Sequence, residues 1–268
     1  MKNAVVGLLL LTGTFAEGVG QTVSSPLVYE LPGGTKLTLE HVPPGTFQMG
    51  EPGNRFAPRR QVTITRDYYV GETEVTQAQW WAVMGNVPYS SQPQGSAFPV
   101  GASADDVDQF LAKANSLLGL SGSLTLRLPT EAEWERAMRG GTDTRFPFGD
   151  AGECAKPGEG IEETCPLAED HAWYVANSKG GWHQVAMKKP NAYGLFDMLG
   201  NAAELVHDWY GDPSGRAETN PTGPKGPTIG RVSRGGDWRF GLRATTRGGP
   251  IAPFHRDSQL GFRVTRSR

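Results

Sequence analysis

Apolar and polar residues alternate with a period of two along several short stretches of the first third of the chain. The alternation covers residues 27–42 on both sides of the turn Pro32–Gly34, recurs at 61–65 and continues at 68–70. Between them, residues 44–50 combine a turn, a short strand-like stretch and a second turn. Successive side chains of a strand point to opposite faces of a sheet, so these stretches predict short, half-buried β-strands.

Three stretches carry the end signals of helices. Thr76 with Gln79, and Thr130 with Glu133, have the spacing of a capping box, in which each side chain bonds the main chain of the other residue. A further helix begins at Ser103, because apolar residues recur at 107, 110, 111 and 114 and would form one buried face. Glycines at 85 and 140 predict the ends of the two helices with capping boxes.

Regular structure is hard to see after residue 141. Aromatic residues stand among glycines and prolines, residues 211–230 predict a long polar loop, and 231–238 and 260–264 predict closing strands. The 36 glycines and 20 prolines among 268 residues exceed ordinary usage and favour short elements joined by loops. Neither a repeat nor a domain boundary is visible, so we expect a single loop-rich domain over residues 27–268.

The first 20 residues predict a secretory signal peptide. Lys2 supplies positive charge, residues 4–11 are an apolar run, and small residues follow at 14–16 and 18–20, where cleavage would fall. The run is too short to span a bilayer comfortably, so we expect no transmembrane anchor. A buried N-terminal strand or helix is the alternative. Residues 21–26 would be a linker, and the protein would be exported to the periplasm or secreted.

Composition and charge narrow the class of protein. The chain is 37% hydrophobic and has seven tryptophans, which is enough apolar material for a folded core. Its 26 basic and 28 acidic residues give a net charge of −2 without a long run of one sign. The basic surface of a nucleic-acid-binding protein is therefore missing, and we expect no nucleic-acid partner.

The only two cysteines of the chain, Cys154 and Cys165, lie in a polar stretch rich in Gly and Glu. In an oxidising compartment they can form one disulfide that closes a short loop, and this is the interpretation we favour. The alternatives are a metal site and a catalytic cysteine. A catalytic cysteine would need a base, for which His171 is the nearby candidate.

Residues 190–204 have the most unusual pattern of the chain. They place two glycines and the oxygen-bearing side chains of Asp197, Asn201 and Glu204 in a stretch that fits neither a helix nor a strand. The oxygens could converge on one cation, or they could hold a tight loop by hydrogen bonds to the main chain.

Six motifs in a fixed order carry a resemblance to a known family. They are GTFQMG at 45–50, EVT at 74–76, RLPTEAEWE at 127–135, the 190–204 stretch, RGGDW at 234–238 and GFRV at 261–264. This set resembles the formylglycine-generating enzyme family, also called the sulfatase-modifying-factor domain, over residues 27–268. The resemblance implies an α+β fold of the C-type-lectin-like kind with little regular structure and bound calcium.

The resemblance also implies a set of calcium ligands in the 190–204 stretch. The side chains of Asp197 and Glu204 and the main-chain carbonyls of Gly200 and Ala202 would bind the ion. Calcium takes six to eight hard oxygen ligands in flexible geometry, which suits this mixture. A loop held by hydrogen bonds without metal is the alternative.

The best-known activity of the family is not expected here. The family's enzymes oxidise a cysteine of a sulfatase to formylglycine with two cysteines that bind copper shortly after the RGG motif. Residues 239–247 of this chain contain no cysteine, and Cu(I) prefers thiolate or thioether ligands. We therefore expect neither copper binding nor sulfatase activation.

Two functional hypotheses follow. In the first, the chain resembles the cysteine-free exported branch that includes pyoverdine siderophore maturation, and it assists oxidative tailoring of a secreted metabolite or enzyme. In the second, it is a non-catalytic, calcium-stabilised binding module for a periplasmic or secreted protein. Tyr193, Trp238 and Arg243 are the candidate groove residues. The arginines after residue 233 could bind an anion, or they could be paired within a closing sheet.

Overall fold

A computed structural model describes residues 24–54, 56–88, 94–150, 154, 161, 163–242, 247–255 and 259–268. The predicted signal peptide and Arg243 lie outside these residues. In the part of the chain that is described, no helix is both long and apolar enough to cross a membrane.

The described residues form four helices and ten short strands. The helices are α1 (Gln77–Met84), α2 (Ala104–Leu118), α3 (Glu131–Arg139) and α4 (Pro166–Glu169). The strands are β1 (Leu27–Glu30), β2 (Lys36–Val42), β3 (Gly45–Met49), β4 (Arg60–Ile64), β5 (Tyr68–Gly71), β6 (Ala203–Trp209), β7 (Glu218–Thr219), β8 (Arg231–Arg234), β9 (Leu260–Phe262) and β10 (Thr265–Ser267).

Three small sheets make up the β-structure. Their strand orders are β1-β2-β5-β10, β3-β4-β7 and β8-β6-β9. Most neighbours are antiparallel, but β6 runs parallel to β9 and β4 runs parallel to β7. The expected α+β, loop-rich single domain is therefore confirmed.

The three predicted helices begin and end where the local signals place them. The side chains of Thr76, Ser103 and Thr130 each accept a bond from the main-chain N–H three residues later, and each helix has a reciprocal capping box. Gly85 and Gly140 end α1 and α3 in the left-handed conformation, in which glycine meets no Cβ penalty.

Two hydrophobic cores lie on either side of the β8-β6-β9 sheet region. One is built around Trp134 of α3. The other contains Trp80, Phe110 and Phe262, with ring centroids 5.2 Å apart for Trp80–Phe110 and 5.4 Å apart for Phe110–Phe262. Val206 of β6 belongs to the first core and Leu205 to the second, so β6 joins them.

The sequence patterns missed β6, β7, β10 and α4. In β6, three consecutive residues, Glu204–Val206, are buried, so the period of two is lost. A strand buried on both faces does not alternate, and its polar first residues looked like a loop. β7 has only two residues and depends on pairing with β4, which is distant in sequence.

Candidate functional site

Four buried charged side chains meet at the 190–204 stretch, which itself supplies two of them. They are Glu74, Asp197, Glu204 and Arg263, here called the loop cluster, and none is more than 2% exposed. Three of the four are carboxyl groups, and the fourth is the only guanidinium. The cluster joins the turn after β5, the 190–204 stretch, the start of β6 and the residue after β9.

Glu204 is held by Arg263. Oε1 of Glu204 lies 2.6 Å from Nη2 of Arg263, and Oε2 lies 2.7 Å from its Nε. Trp134 Nε1 also donates to Oε2 at 2.7 Å. A bidentate, charge-assisted pair of this kind fixes both groups strongly.

Glu74 completes the cluster from a distant part of the chain. Its Oε1 accepts bonds from Asn201 Nδ2 at 3.1 Å and from the N–H of Ala202 at 3.4 Å, whereas Oε2 is buried without a hydrogen-bond partner. Burial raises the pKa of Glu74 well above its ordinary value, and the charges of Asp197 and Glu204 raise it further. The EVT motif held this residue, but nothing in the sequence indicated its neighbours.

Asp197 is the member of the loop cluster that the 190–204 stretch supplies before its glycine at 200. Its Oδ2 accepts from the N–H of Ala186 at 2.7 Å, and its Oδ1 is buried without a hydrogen-bond partner. Burial raises the pKa of Asp197 to about 6, although the Ala186 bond and Arg263 oppose the shift. Burying a carboxylate oxygen without a hydrogen-bond partner costs free energy. A proton, a water molecule or a cation bound at Oδ1 would lower that cost.

The predicted calcium ligands fit the geometry unequally. Asp197 has a carboxylate oxygen to spare, as has Glu74. Both oxygens of Glu204 are committed to Arg263. Among the described residues, no group of three or more His, Cys, Asp or Glu side chains is arranged to hold a metal ion. Calcium binding therefore stays a prediction, with Asp197 as its best-placed side-chain ligand.

Gly200 lies where no side chain fits. A Cβ at this position would stand 1.9 Å from the carbonyl oxygen of Trp173, and its φ is +74°. Gly200 therefore packs directly against the main chain of Trp173, with which it forms an isolated β-bridge. This close approach holds the 190–204 stretch against the loop that follows α4.

A cationic and aromatic stack covers that loop. The rings of Trp173 and His183 are parallel with centroids 3.6 Å apart, and Nζ of Lys188 lies 3.8 Å from the centre of the Trp173 ring. Burial lowers the pKa of Lys188, against the opposing charges of Glu169, Asp170 and Asp197. The stack places a positive charge close to the electron-rich indole face and near the loop cluster.

The segment after the RGG motif reaches the surface beside the stack. Trp238 is half-buried, and its N–H donates to the carbonyl of Asn201 while its own carbonyl accepts from Ser178 Oγ at 3.0 Å. Phe240 is 60% exposed and Val175, whose N–H donates to the Phe240 carbonyl, is 47% exposed. Val175, Trp238 and Phe240 are called the apolar surface below; the guanidinium carbon of Arg239 lies over the Phe240 ring, 5.2 Å from its centre.

Tyr193, the other described groove candidate, is not on this surface. It is only 9% exposed and belongs to the core around Trp134. Its hydroxyl lies beside Gly141, where an added Cβ would be 3.0 Å away. The structure therefore places Tyr193 in the core rather than in an open groove.

Five of the described arginines after residue 233 pair with carboxylates: Arg234, Arg239, Arg247, Arg263 and Arg268. Arg234 and Arg247 share Glu131, and Arg234 also contacts Glu135 at 2.7 Å. Arg139 contacts the other oxygen of Glu135 at 2.8 Å. These five side chains are called the α3 cluster. Outside this cluster, Arg263 joins Glu204 and Arg239 joins Asp237.

Cys154 and Cys165 are joined in a disulfide, with Cα atoms 5.6 Å apart. Ile161, between the two cysteines, forms two main-chain hydrogen bonds of 3.0 Å with Leu242. The cysteine-containing loop and the RGG region are distant in sequence, but the hydrogen bonds between Ile161 and Leu242 bring them together in the fold. Because both sulfur atoms are bonded to each other, neither is a thiolate.

Comparison with known proteins settles the family. The model of the sulfatase-modifying factor enzyme 1-like domain matches residues 34–268. The chain belongs to this family.

Curated relatives share part of their length with this chain. The formylglycine-generating enzyme of Thermomonospora curvata is 30% identical over 179 residues, which cover 63% of this chain and 56% of the enzyme. A chaperone protein, LppX, of Paenibacillus barcinonensis is 26% identical over 217 residues, covering 67% of this chain and 71% of LppX. A serine/threonine-protein kinase, pkn1, of Chlamydia pneumoniae is 38% identical over 117 residues, covering 42% of this chain and 16% of the kinase.

Solved structures share the fold over nearly the whole chain. Variable protein 1 of Treponema denticola has a TM-score of 0.76 and 29% identity, and the match covers 90% of this chain and 98% of that protein. PvdO from Pseudomonas aeruginosa has a TM-score of 0.72 and 23% identity, with 93% and 100% covered. The chain therefore shares this fold, and a shared fold does not by itself determine the function.

Proposed function

We propose that this chain is an exported maturation accessory that binds a secreted protein or peptide-like client and does not generate formylglycine. The observation that carries the proposal is the apolar surface, where Phe240 and Val175 are about half exposed next to Trp238. Exposed aromatic side chains held by a rigid backbone are typical of recognition surfaces.

The sulfur chemistry supports the second half of the proposal. Formylglycine formation in this family depends on thiolates that bind copper, and Cu(I) requires soft ligands. The two cysteines of this chain are bonded to each other. Residues 239–247 supply no replacement thiolate or thioether.

The relatives support a role in maturation without deciding it. LppX, which shares about two thirds of this chain, carries the name of a chaperone protein. An apolar run at residues 4–11 and a disulfide both suit a protein that works outside the cytosol. Calcium, held by Asp197 and neighbouring carbonyls, would stabilise the loop below the binding surface.

A photo-crosslinking experiment tests the binding role. A benzophenone amino acid is placed at Phe240, and a matched variant carries it at Phe56, which is 55% exposed. We expect the exported fraction of the source cells to give one stoichiometric adduct from position 240 and none from position 56. Equal labelling at both positions would remove the support for a specific surface.

Oxidative tailoring of a peptide-like metabolite is the competing hypothesis. The observation that favours it is the loop cluster, where burial raises the pKa of Asp197 to about 6 and the pKa of Glu74 well above its ordinary value. Asn201 connects Glu74 to the main chain of Trp238. This hypothesis predicts oxygen consumption with the metabolite and a bound redox metal, both measurable on the purified protein.

A cysteine-containing sulfatase peptide distinguishes either hypothesis from the family's best-known activity. Incubated with the protein, copper and oxygen, the peptide should form no aldehyde detectable by hydrazide capture. Aldehyde formation would overturn the proposal in both forms.

A further inference from the structure

A second site lies between the N-terminal end of α3 and the loop that contains β7. It is a cavity of about 260 Å³, bounded by Glu131 and Ala132 of α3, Asp208 of β6 and residues of the 211–224 loop. It is distinct from the apolar surface and the loop cluster. Its volume lies just below the range of about 300–1,000 Å³ that is usual for ligand pockets, so it suits a small molecule.

Asp208 is the buried acid of this cavity. Only 3% of the residue is exposed, and Oδ2 accepts from the N–H of Glu131 at 2.8 Å. Gly223 of the loop closes over it, since a Cβ there would stand 3.0 Å from Oδ1 of Asp208. Asp208 is therefore enclosed by the loop while it still belongs to the cavity wall.

The charges of the wall leave an excess of carboxyl groups. Arg60 contacts Glu218 at 3.0 Å, and Glu131 contacts both Arg247, at 2.7 Å, and the buried Arg234, at 3.2 Å, so these arginines pair with two of the four acids of the wall. Asp208 and Asp212 are the further acids of the same wall. The local field thus favours a cation over an anion.

Apart from the hydroxyl groups of Ser214 and Thr222 and the glycines of the loop, the remaining side chains of the wall are apolar. Met49 and Ala132, both buried, line one side, and Pro213, Pro221 and Pro224 line the loop side. Such surfaces offer no hydrogen bonds to a hydrated metal ion, but they bury methylene groups favourably. A ligand that matches this cavity has a positive head and a short alkyl body.

We infer that the cavity binds a small alkylammonium ligand, with its ammonium group at Asp208 and its alkyl chain between the α3 side and the prolines of the 211–224 loop. The lining residues do not include Val175, Trp238 or Phe240 of the proposed client surface.

The ionisation of Asp208 gives the inference a pH signature. Burial raises the pKa of Asp208 to about 7, and Glu131 and Glu133 add to the shift, whereas the Glu131 N–H and Arg247 oppose it. Arg60, Asp212 and Glu218 are the other charged groups of the wall, and the lining contains no histidine. An ammonium ion favours the ionised carboxylate, so its affinity should rise about tenfold between pH 6 and pH 8.

Calorimetric titration with 1-pentylamine tests the inference. The neutral 1-pentanol and the anionic pentanoate are the matched probes, and Asp143→Asn is the control variant, since Asp143 is exposed and outside the cavity. We expect the wild-type and Asp143→Asn proteins to bind pentylamine but neither 1-pentanol nor pentanoate. Both proteins should bind pentylamine more tightly at pH 8 than at pH 6. Asp208→Asn, which keeps an acceptor for Glu131, should bind at least about tenfold more weakly and without pH dependence.

Two results would overturn the inference. They are equal binding of 1-pentanol and equal pentylamine affinity in Asp208→Asn. If Asp208→Asn fails to fold, carboxyl ¹³C NMR of the wild-type protein replaces it. Pentylamine should then lower the pKa of Asp208, and an unchanged pKa would contradict the inference.

Discussion

The α3 cluster and the loop cluster are two buried groups of charges with opposite balance. In the α3 cluster, Glu131 and Glu135 face three arginines, and Glu135 also accepts the N–H of Gly50 at 2.8 Å. Burial alone would raise the pKa of Glu135, but Arg234 and Arg139 outweigh it and hold the pKa low. Both carboxylates of this cluster are therefore paired with guanidinium groups, and the cluster acts as scaffold for α3.

The loop cluster has three carboxyl groups and one guanidinium. Arg263 forms its ion pair with Glu204. In the other two carboxyl groups, Oε2 of Glu74 and Oδ1 of Asp197 are buried without hydrogen-bond partners. The difference teaches that burial of charge is not in itself a sign of function. An excess of buried carboxyl groups over cations is more informative, because a bound proton or cation is then needed to neutralise the remaining negative charge.

The largest effect is expected from removing the single cation of the loop cluster. Arg263→Met leaves three buried carboxyl groups unopposed and should lower the free energy of unfolding by about 3–5 kcal/mol. Arg139→Met is the matched variant in the α3 cluster, and it should cost less because Glu135 keeps Arg234. Urea unfolding in EDTA measures both, and equal losses would show that the two clusters do not differ in balance.

Calcium should act on the loop cluster alone. At a concentration of about 100 times its dissociation constant, it should stabilise the protein by about 2.7 kcal/mol. Asp197→Asn should lose most of this gain, whereas Asp143→Asn should retain it. Thermal unfolding with calcium and with EDTA is the measurement. A gain that survives in Asp197→Asn would place the ion elsewhere.

The two clusters should respond to pH with opposite sign. The raised pKa of Asp197, about 6 against 3.8, gives stability that is complete below pH 3.8 and is lost as the pH rises through 6. The lowered pKa of Glu135 gives stability that is present above pH 4.5 and is lost as the pH falls below it.

Unfolding at pH 5 and pH 7.5 in EDTA isolates the loop cluster. Wild-type protein should lose about 1 kcal/mol of Asp197-dependent stability over this interval. Asp197→Asn should not show that loss. The same decline in both proteins would assign the pH dependence to other groups.

The smallest effect concerns the stack above the loop cluster. The charge of Lys188 lowers the pKa of Asp197, so Lys188→Met should raise that pKa by less than about one unit. Carboxyl ¹³C NMR titration measures the shift. A lower pKa of Asp197 in the variant would show that Lys188 acts through the conformation of the loop and not through its charge.

Local signals explain which elements could be predicted. The caps at Thr76, Ser103 and Thr130 act within four residues, so the sequence contains both partners of each bond. The disulfide partners Cys154 and Cys165 are also close, 11 residues apart. Tyr193 shows the limit of such reasoning, because its motif said nothing about burial, and the residue is in the core.

The sequence by itself determined the family, the capped helices, the early strands and the absence of a cysteine after the RGG motif. These depend on residue identity, order and spacing over a few positions. The tertiary structure decided which charges meet. Glu74 reaches Asn201 across 127 residues of sequence, and Arg263 reaches Glu204 across 59. Ion pairing and burial depend on distance in space. Only the folded chain therefore shows that both carboxylate oxygens of Glu204 are bonded, whereas Oδ1 of Asp197 is buried without a hydrogen-bond partner.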